Sequence, residues 1–435
     1  MKFIQWTPFK AASLLGAALM LAGAIASAQT PPAETPPDPK VPTVEKPAAP
    51  PVAVPTIGPG REIKIGDHFS LKLGLQAQVW GTAVQDFTPQ MMAAGEDAYQ
   101  NSIYLRRARV LMGVKPWDNI DLFVLVEGSD LGKVNPGGTA KNNAIAILDA
   151  WGEVKFHDAF IVTAGQQLVP VNRNTLQGTT TYLGLDIGNT SAATVAALQT
   201  QALRDVGLQV KGTVLADKLE YRLGVFSGIR EPQTTEPTMS MQSENAPRVA
   251  GYLQYNFLDA DKGYVFNGTY YGKKSILGLA VGGDYQKGAD LDPYRAFSVA
   301  AFAAYPIFGA NPKTGADEVA ALFQYVNYDG QETAPTLLQQ NDFLAEVAYY
   351  NKATKLSVFG KFEGMFFVDE KGTPADESER NILWYGGGMK YHLLENLCNF
   401  TLAYQRMELQ NAPAVLEATR SSANQFTFAA QLLYY

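Results

Sequence analysis

Few residues in this chain suit covalent or acid–base chemistry. It holds 3 histidines and 1 cysteine. His68, His157 and His392 stand far apart, and none neighbours a plausible nucleophile in sequence. A catalytic triad or a histidine-rich metal site is therefore not expected. The lone Cys398 excludes an internal disulfide and a multi-cysteine metal site, and reads as a small apolar residue. Gly282-Gly283 and Gly386-Gly387-Gly388 have no helix after them, so they suit strand packing rather than phosphate cradles. The chain reads as a non-enzyme, with no cofactor and no metal. Its usable chemistry is cationic. Arg106, Arg107 and Arg109 crowd together, and Lys211 and Arg222 follow further on. Fixed charges that face water in a confined space sort ions. Whether these bases face water depends on the elements that carry them.

Those elements alternate with period 2. Leu71, Leu73, Leu75, Ala77 and Val79 make one face; Ser70, Lys72, Gly74, Gln76 and Gln78 make the other. The pattern recurs at Leu148, Ala150, Gly152, Val154 and Phe156 against Asp149, Trp151, Glu153 and Lys155. It recurs at Leu208–Val214, Val249–Phe257, Phe343–Tyr349 and Leu356–Phe366. Sixteen strands are predicted, near 69–80, 102–113, 119–128, 145–156, 158–167, 203–214, 218–227, 247–258, 275–286, 296–306, 318–328, 341–350, 355–367, 382–392, 397–408 and 424–435.

The N-terminus says which solvent the apolar face meets. Lys2 and Lys10, the apolar Ala11–Ile25 and the Ala26-Ser27-Ala28 site make residues 1–28 a secretory signal peptide. Its removal takes the net charge from −7 to −9. Residues 29–60 hold 11 of the 25 prolines and no periodicity, so a disordered Pro-rich spacer is expected there. No other segment offers the roughly 20 apolar residues of a membrane helix. An exported chain of long alternating strands, many with an aromatic near one end (Trp80, Trp117, Tyr285, Tyr305, Tyr349), reads as a membrane barrel. In lipid every backbone group must pair, so the sheet must close. The expected fold is all-β: a sixteen-stranded antiparallel transmembrane β-barrel spanning residues 61–435, in the outer membrane, with lipid and lipopolysaccharide around it. The acidic balance argues against nucleic acid as a partner.

In such a barrel the polar face lines a water-filled lumen. Alternation then puts Lys72, Arg107, Arg109, Lys155, Lys211, Arg222, Arg248, Lys355, Lys361 and Lys390 inside. It puts Asp149 and eight other acids there as well: Asp121, Glu127, Glu153, Asp205, Glu220, Asp284, Glu346 and Glu363. Arg106 and Arg204 fall on the lipid parity, which requires an interfacial position or a bulge that turns them inward. Residues 168–202, with Arg173 and Asp186, lack strand alternation. Two readings are open: a loop folded into the pore, or an ordinary external loop.

A family resemblance can be named on these residues. Ile103-Tyr104-Leu105-Arg106-Arg107-Ala108-Arg109 resembles the L-R-R-A-R segment of the phosphate-selective porin O and P family. Trp117–Leu122, Asp149-Ala150-Trp151, Gly165-Gln166, Arg204–Gly207 and Tyr270–Lys274 follow in that family's order. The resemblance implies a homotrimeric outer-membrane porin, with Arg106 and Arg107 at the constriction and Asp149 nearby. It implies small inorganic ions as cargo, with phosphate among them. The chain departs from the family where Gly165-Gln166-Gln167-Leu168-Val169-Pro170-Val171 stands for Gly-Gln-Phe-Lys-x-Pro-Phe. The expected function is passive diffusion of small ions and solutes. The alternative is a structural barrel tethered to peptidoglycan through residues 29–60.

Overall fold

The computed structural model describes residues 61–65, 68–85, 99–133, 145–229, 245–289, 291–307, 309–368, 381–410 and 422–434. The signal peptide and spacer expected over 1–60 lie outside the described residues. Among the described residues there are seventeen strands. After a short β1 (Arg61–Ile65) come β2 (Phe69–Gln85), β3 (Tyr99–Trp117), β4 (Ile120–Leu131), β5 (Ile145–His157) and β6 (Phe160–Leu168). Then follow β7 (Arg204–Val214), β8 (Leu219–Phe226), β9 (Arg248–Asn256), β10 (Ile276–Gln286), β11 (Tyr294–Pro306) and β12 (Glu318–Asp329). The last are β13 (Gln340–Asn351), β14 (Leu356–Phe367), β15 (Asn381–Leu394), β16 (Cys398–Gln410) and β17 (Ser422–Tyr434).

Strands β2 to β17 each pair antiparallel with the next, and β17 returns to β2 with Tyr434 opposite Leu75. The sixteen-stranded barrel is closed, so its ladder has no open edge. All sixteen expected strands are found. The short β1 was not expected; it continues the line of β17 along β2, with Arg61 opposite Leu73.

Burial is inverted relative to a water-soluble fold. Outward positions hold exposed Leu73, Leu75, Ile103, Val110, Phe428 and Leu432. Inward positions hold buried Gln76, Asp149, Gln254, Asp284 and Glu363. An apolar belt that faces out and a polar interior suit a hydrocarbon surround.

Three sequence expectations need correction. Leu148 does not face lipid: the register slips between Leu125 and Val126, so Leu148 is an extra residue, buried at 3% exposure against Leu111, Phe123 and Leu125. Trp80 is not a girdle aromatic; it points inward, packed on Tyr104 and Ala429. Lys355 is not lumenal; it sits exposed in the β13–β14 turn with φ of 58°.

Five connections at one end of the barrel are short: 118–119, 158–159, 215–218, 352–355 and 395–397. Residues 257–275, at that same end, are longer and turn back inside, burying Phe266, Tyr270 and Tyr271. From the other end, residues 169–203 fold into the barrel and carry the only helix among the described residues, α1 (Asn189–Ala197). The two insertions meet where Gln177 bridges Phe266. They also meet the wall closely. The Val171 carbonyl accepts from Ser298 Oγ at 2.6 Å and lies over Gly282, where a Cβ would collide with it. Gly282→Ala should therefore destabilise the barrel by about 1–3 kcal/mol through overpacking, read as a lower unfolding temperature of the detergent-solubilised protein.

Candidate functional site: a lumenal cavity beside an inserted loop

One half of the barrel interior is filled by the two insertions, and the other holds a cavity. The filled half is held by ion pairs that the strands aim inward. Arg173 of the long insertion pairs with Asp261 of the short-end insertion at 2.7 Å, and both are almost fully buried. Its guanidinium lies 3.8 Å from the Phe302 ring centroid and 4.8 Å from that of Phe266. Its amino groups donate to Gln254 Oε1 and to the Asn267 carbonyl. Arg222 pairs with Glu220 at 2.6 Å and donates to the Gly263 and Tyr264 carbonyls. Lys211 pairs with Glu153 at 2.6 Å beneath the Trp151 and Tyr264 rings. Asp149 pairs with Arg204 at 3.2 Å and accepts from the Tyr264 hydroxyl. Ala202 and Leu203, with φ of 48° and 73°, lead into Arg204, whose side chain is buried in the interior and not turned to lipid.

On the other side the long insertion is clasped to the wall. Arg106 is an extra residue in β3, because Gln78 pairs with Arg107 while Val79 pairs with Leu105. That bulge turns Arg106 inward. Its guanidinium reaches Asp186 at 3.0 Å and Asp130 at 3.1 Å, and lies 5.4 Å from the Trp80 centroid. Arg107 binds the other Asp186 oxygen at 2.6 Å and donates to Gln78 Oε1. Arg109 pairs with Glu127 and donates to Thr179 of the insertion. Two lysines hold insertion backbone: Lys390 Nζ donates to the Tyr182 and Gly184 carbonyls, and Lys361 Nζ to those of Asp186 and Ile187. Glu363 accepts from Thr190 N and Asn189 Nδ2 at the start of α1.

Between this clasp and the walls of β2, β3 and β14–β17 lies a cavity of about 260 Å³. Arg106, Asp130, Lys133, Asp186 and Lys361 supply its charges. Leu185, Ile187 and Phe359 supply apolar surface; Asn189, Gln405 and Gln425 supply amides.

Of the seven residues singled out in the sequence, Arg106 lines this cavity. Arg107 and Arg109 stand beside it, in the wall that clasps the insertion. Asp149, Arg173, Lys211 and Arg222 lie in the filled half. Sequence reading missed Asp130, Phe359 and the short-end insertion. A 19-residue connection at 257–275, against four residues at 215–218 before it, was the available signal. Of the two readings of 168–202, the structure supports the inserted loop.

Burial alone would raise the Asp186 pKa, but Arg107 and Arg106 outweigh it and hold the carboxyl well below the usual carboxylate range. A depressed acid stabilises above its unfolded pKa of about 3.9 and loses that contribution only as pH falls through the lower folded value. The clasp should thus persist from neutral pH to about pH 4. The conductance difference between wild type and Asp186→Asn should stay constant over that range and shrink only below it.

The barrel aligns with OprB of Pseudomonas putida at a TM-score of 0.55 and 9% identity, covering 84% of this chain and 94% of that one. OmpF of Salmonella typhi, solved with daunomycin, gives 0.52 and 15%, covering 86% and 100%. The outer-membrane channel DcaP of Acinetobacter baumannii gives 0.50 and 10%, covering 86% and 99%. The fold is similar to that of outer-membrane porins. No family model and no curated protein matches the sequence.

Proposed function

We propose that the protein is an outer-membrane channel for passive diffusion of small ions and solutes. The observation that carries this is the cavity of about 260 Å³ inside the barrel, bounded by an insertion that ion pairs clasp to the wall. The inverted surface and the porin-like fold support it. Export by residues 1–28 with cleavage after Ala28, and assembly as a homotrimer, belong to the same reading. Phosphate is a finer candidate cargo, and Arg106 is the base placed to meet it. That guanidinium already holds two carboxylates, which favours the general channel. Purified protein added to a planar bilayer should produce stepwise rises in conductance. Protein that is folded and inserted, yet never conducts, would overturn the proposal and favour the tethered structural barrel.

A further inference from the structure

We infer that the channel favours small uncharged polyhydroxylated solutes over ions of the same size, an inference that rests on the channel reading above. The charges around the cavity already have partners. Arg106 is bound to Asp130 and Asp186, and Arg107 shares Asp186. Lys361 pairs with Glu363 at 2.9 Å and holds two backbone carbonyls. Lys133 lies 5.2 Å from the Tyr104 ring centroid. A permeating ion that bound any of the carboxylates, Arg106, Lys361 or Lys133 would have to displace a partner already in place. An ion that did not bind them would shed hydration in a confined space without a compensating charge, which is unfavourable.

An uncharged polyol meets neither obstacle. The Gln405 side chain makes no hydrogen bond among the described residues, and its amide can both donate and accept. Gln425 gives its Nε2 to Thr427 and keeps its carbonyl oxygen for a hydroxyl. In the same lining, Leu185, Ile187 and Phe359 offer an apolar surface. A sugar ring has that same division, with C–H groups on one face and hydroxyls at its rim. The volume of about 260 Å³ lies just under the roughly 300–1,000 Å³ of sites that enclose drug-sized ligands, so the solute is small.

The test uses the full-length protein in liposomes loaded with glucose, gluconate or glucosamine, which share a carbon frame and differ in charge. Glucose should leave at least about threefold faster than either ion. Faster efflux of gluconate or of glucosamine would overturn the inference while leaving the channel intact. No efflux of any of the three would sink the channel reading itself. Gln405→Lys and Gln405→Glu add one unpaired charge of either sign at the cavity. Their reversal potentials in a KCl gradient should move in opposite directions from wild type, towards anions and cations respectively. Potentials that both stay at the wild-type value would mean that Gln405 does not border the path, and would overturn the inference.

Discussion

Asp186→Asn should widen the channel and turn it towards anions. In the wild type one carboxylate holds two guanidinium groups, Arg106 at 3.0 Å and Arg107 at 2.6 Å, and so ties the insertion to β3. The amide keeps the shape but not the charge. Removing one partner from a buried pair costs up to about 3–5 kcal/mol, because the remaining charge is left uncompensated. Asp186 keeps some solvent contact, so the lower end applies. The ladder of the barrel is untouched, so the protein still folds. The clasp loosens and leaves two arginines with one carboxylate, Asp130. Single-channel conductance should rise about twofold and the reversal potential should move towards that of the anion. A channel unchanged in both would show that the clasp does not border the conducting path.

Arg173→Met should have the largest effect on stability. Arg173 joins the two insertions to each other and to the wall, through Asp261, the Asn267 carbonyl, Gln254 and the Phe302 and Phe266 rings. Methionine fills much of the space and takes away the charge. Asp261 is then left buried with the Tyr270 hydroxyl donating to it and no cation paired with it. We expect a loss of about 3–5 kcal/mol, as for other buried pairs cut on one side. The readout is the denaturant midpoint in detergent. Arg173→Met/Asp261→Asn should recover much of the loss, since the double variant buries no orphan charge. A double variant no better than the single one would mean that the ring contacts, not the ion pair, hold the insertion.

The strands were legible because the period of 2 is written in the side chains themselves. Phe426, Phe428, Leu432 and Tyr434 face outward as alternation required. One error, Leu148, arose where an extra residue breaks the count; Trp80 was misread from its place near a strand end, and Lys355 from a strand start set one residue early. Arg106 and Leu148 are both bulge residues, and parity cannot see a bulge. The bulge at Arg106 was foreseen as an alternative because an arginine on the lipid side would be costly. Leu148 fits either side, so its inward turn left no trace. The interior was less legible than the wall. Lumenal lysines read as ion-binding groups, yet Lys361 and Lys390 are occupied with backbone carbonyls of the insertion. Such partners lie about 175 to 208 residues away in sequence and follow from closure of the barrel, not from local pattern.

The central claim is that permeating solutes pass through the cavity between the insertion and β14–β17, β2 and β3. Cysteine accessibility tests it most directly, in a Cys398→Ser background that removes the native thiol. Gln405→Cys places a thiol in the cavity, and Gln254→Cys places one in the filled half, where the native residue is 1% exposed. A bulky charged thiol reagent, added during single-channel recording, should lower the current through Gln405→Cys in one step and leave that through Gln254→Cys unchanged. A channel that conducts but is blocked only at Gln254→Cys, or at neither position, would contradict the assigned path.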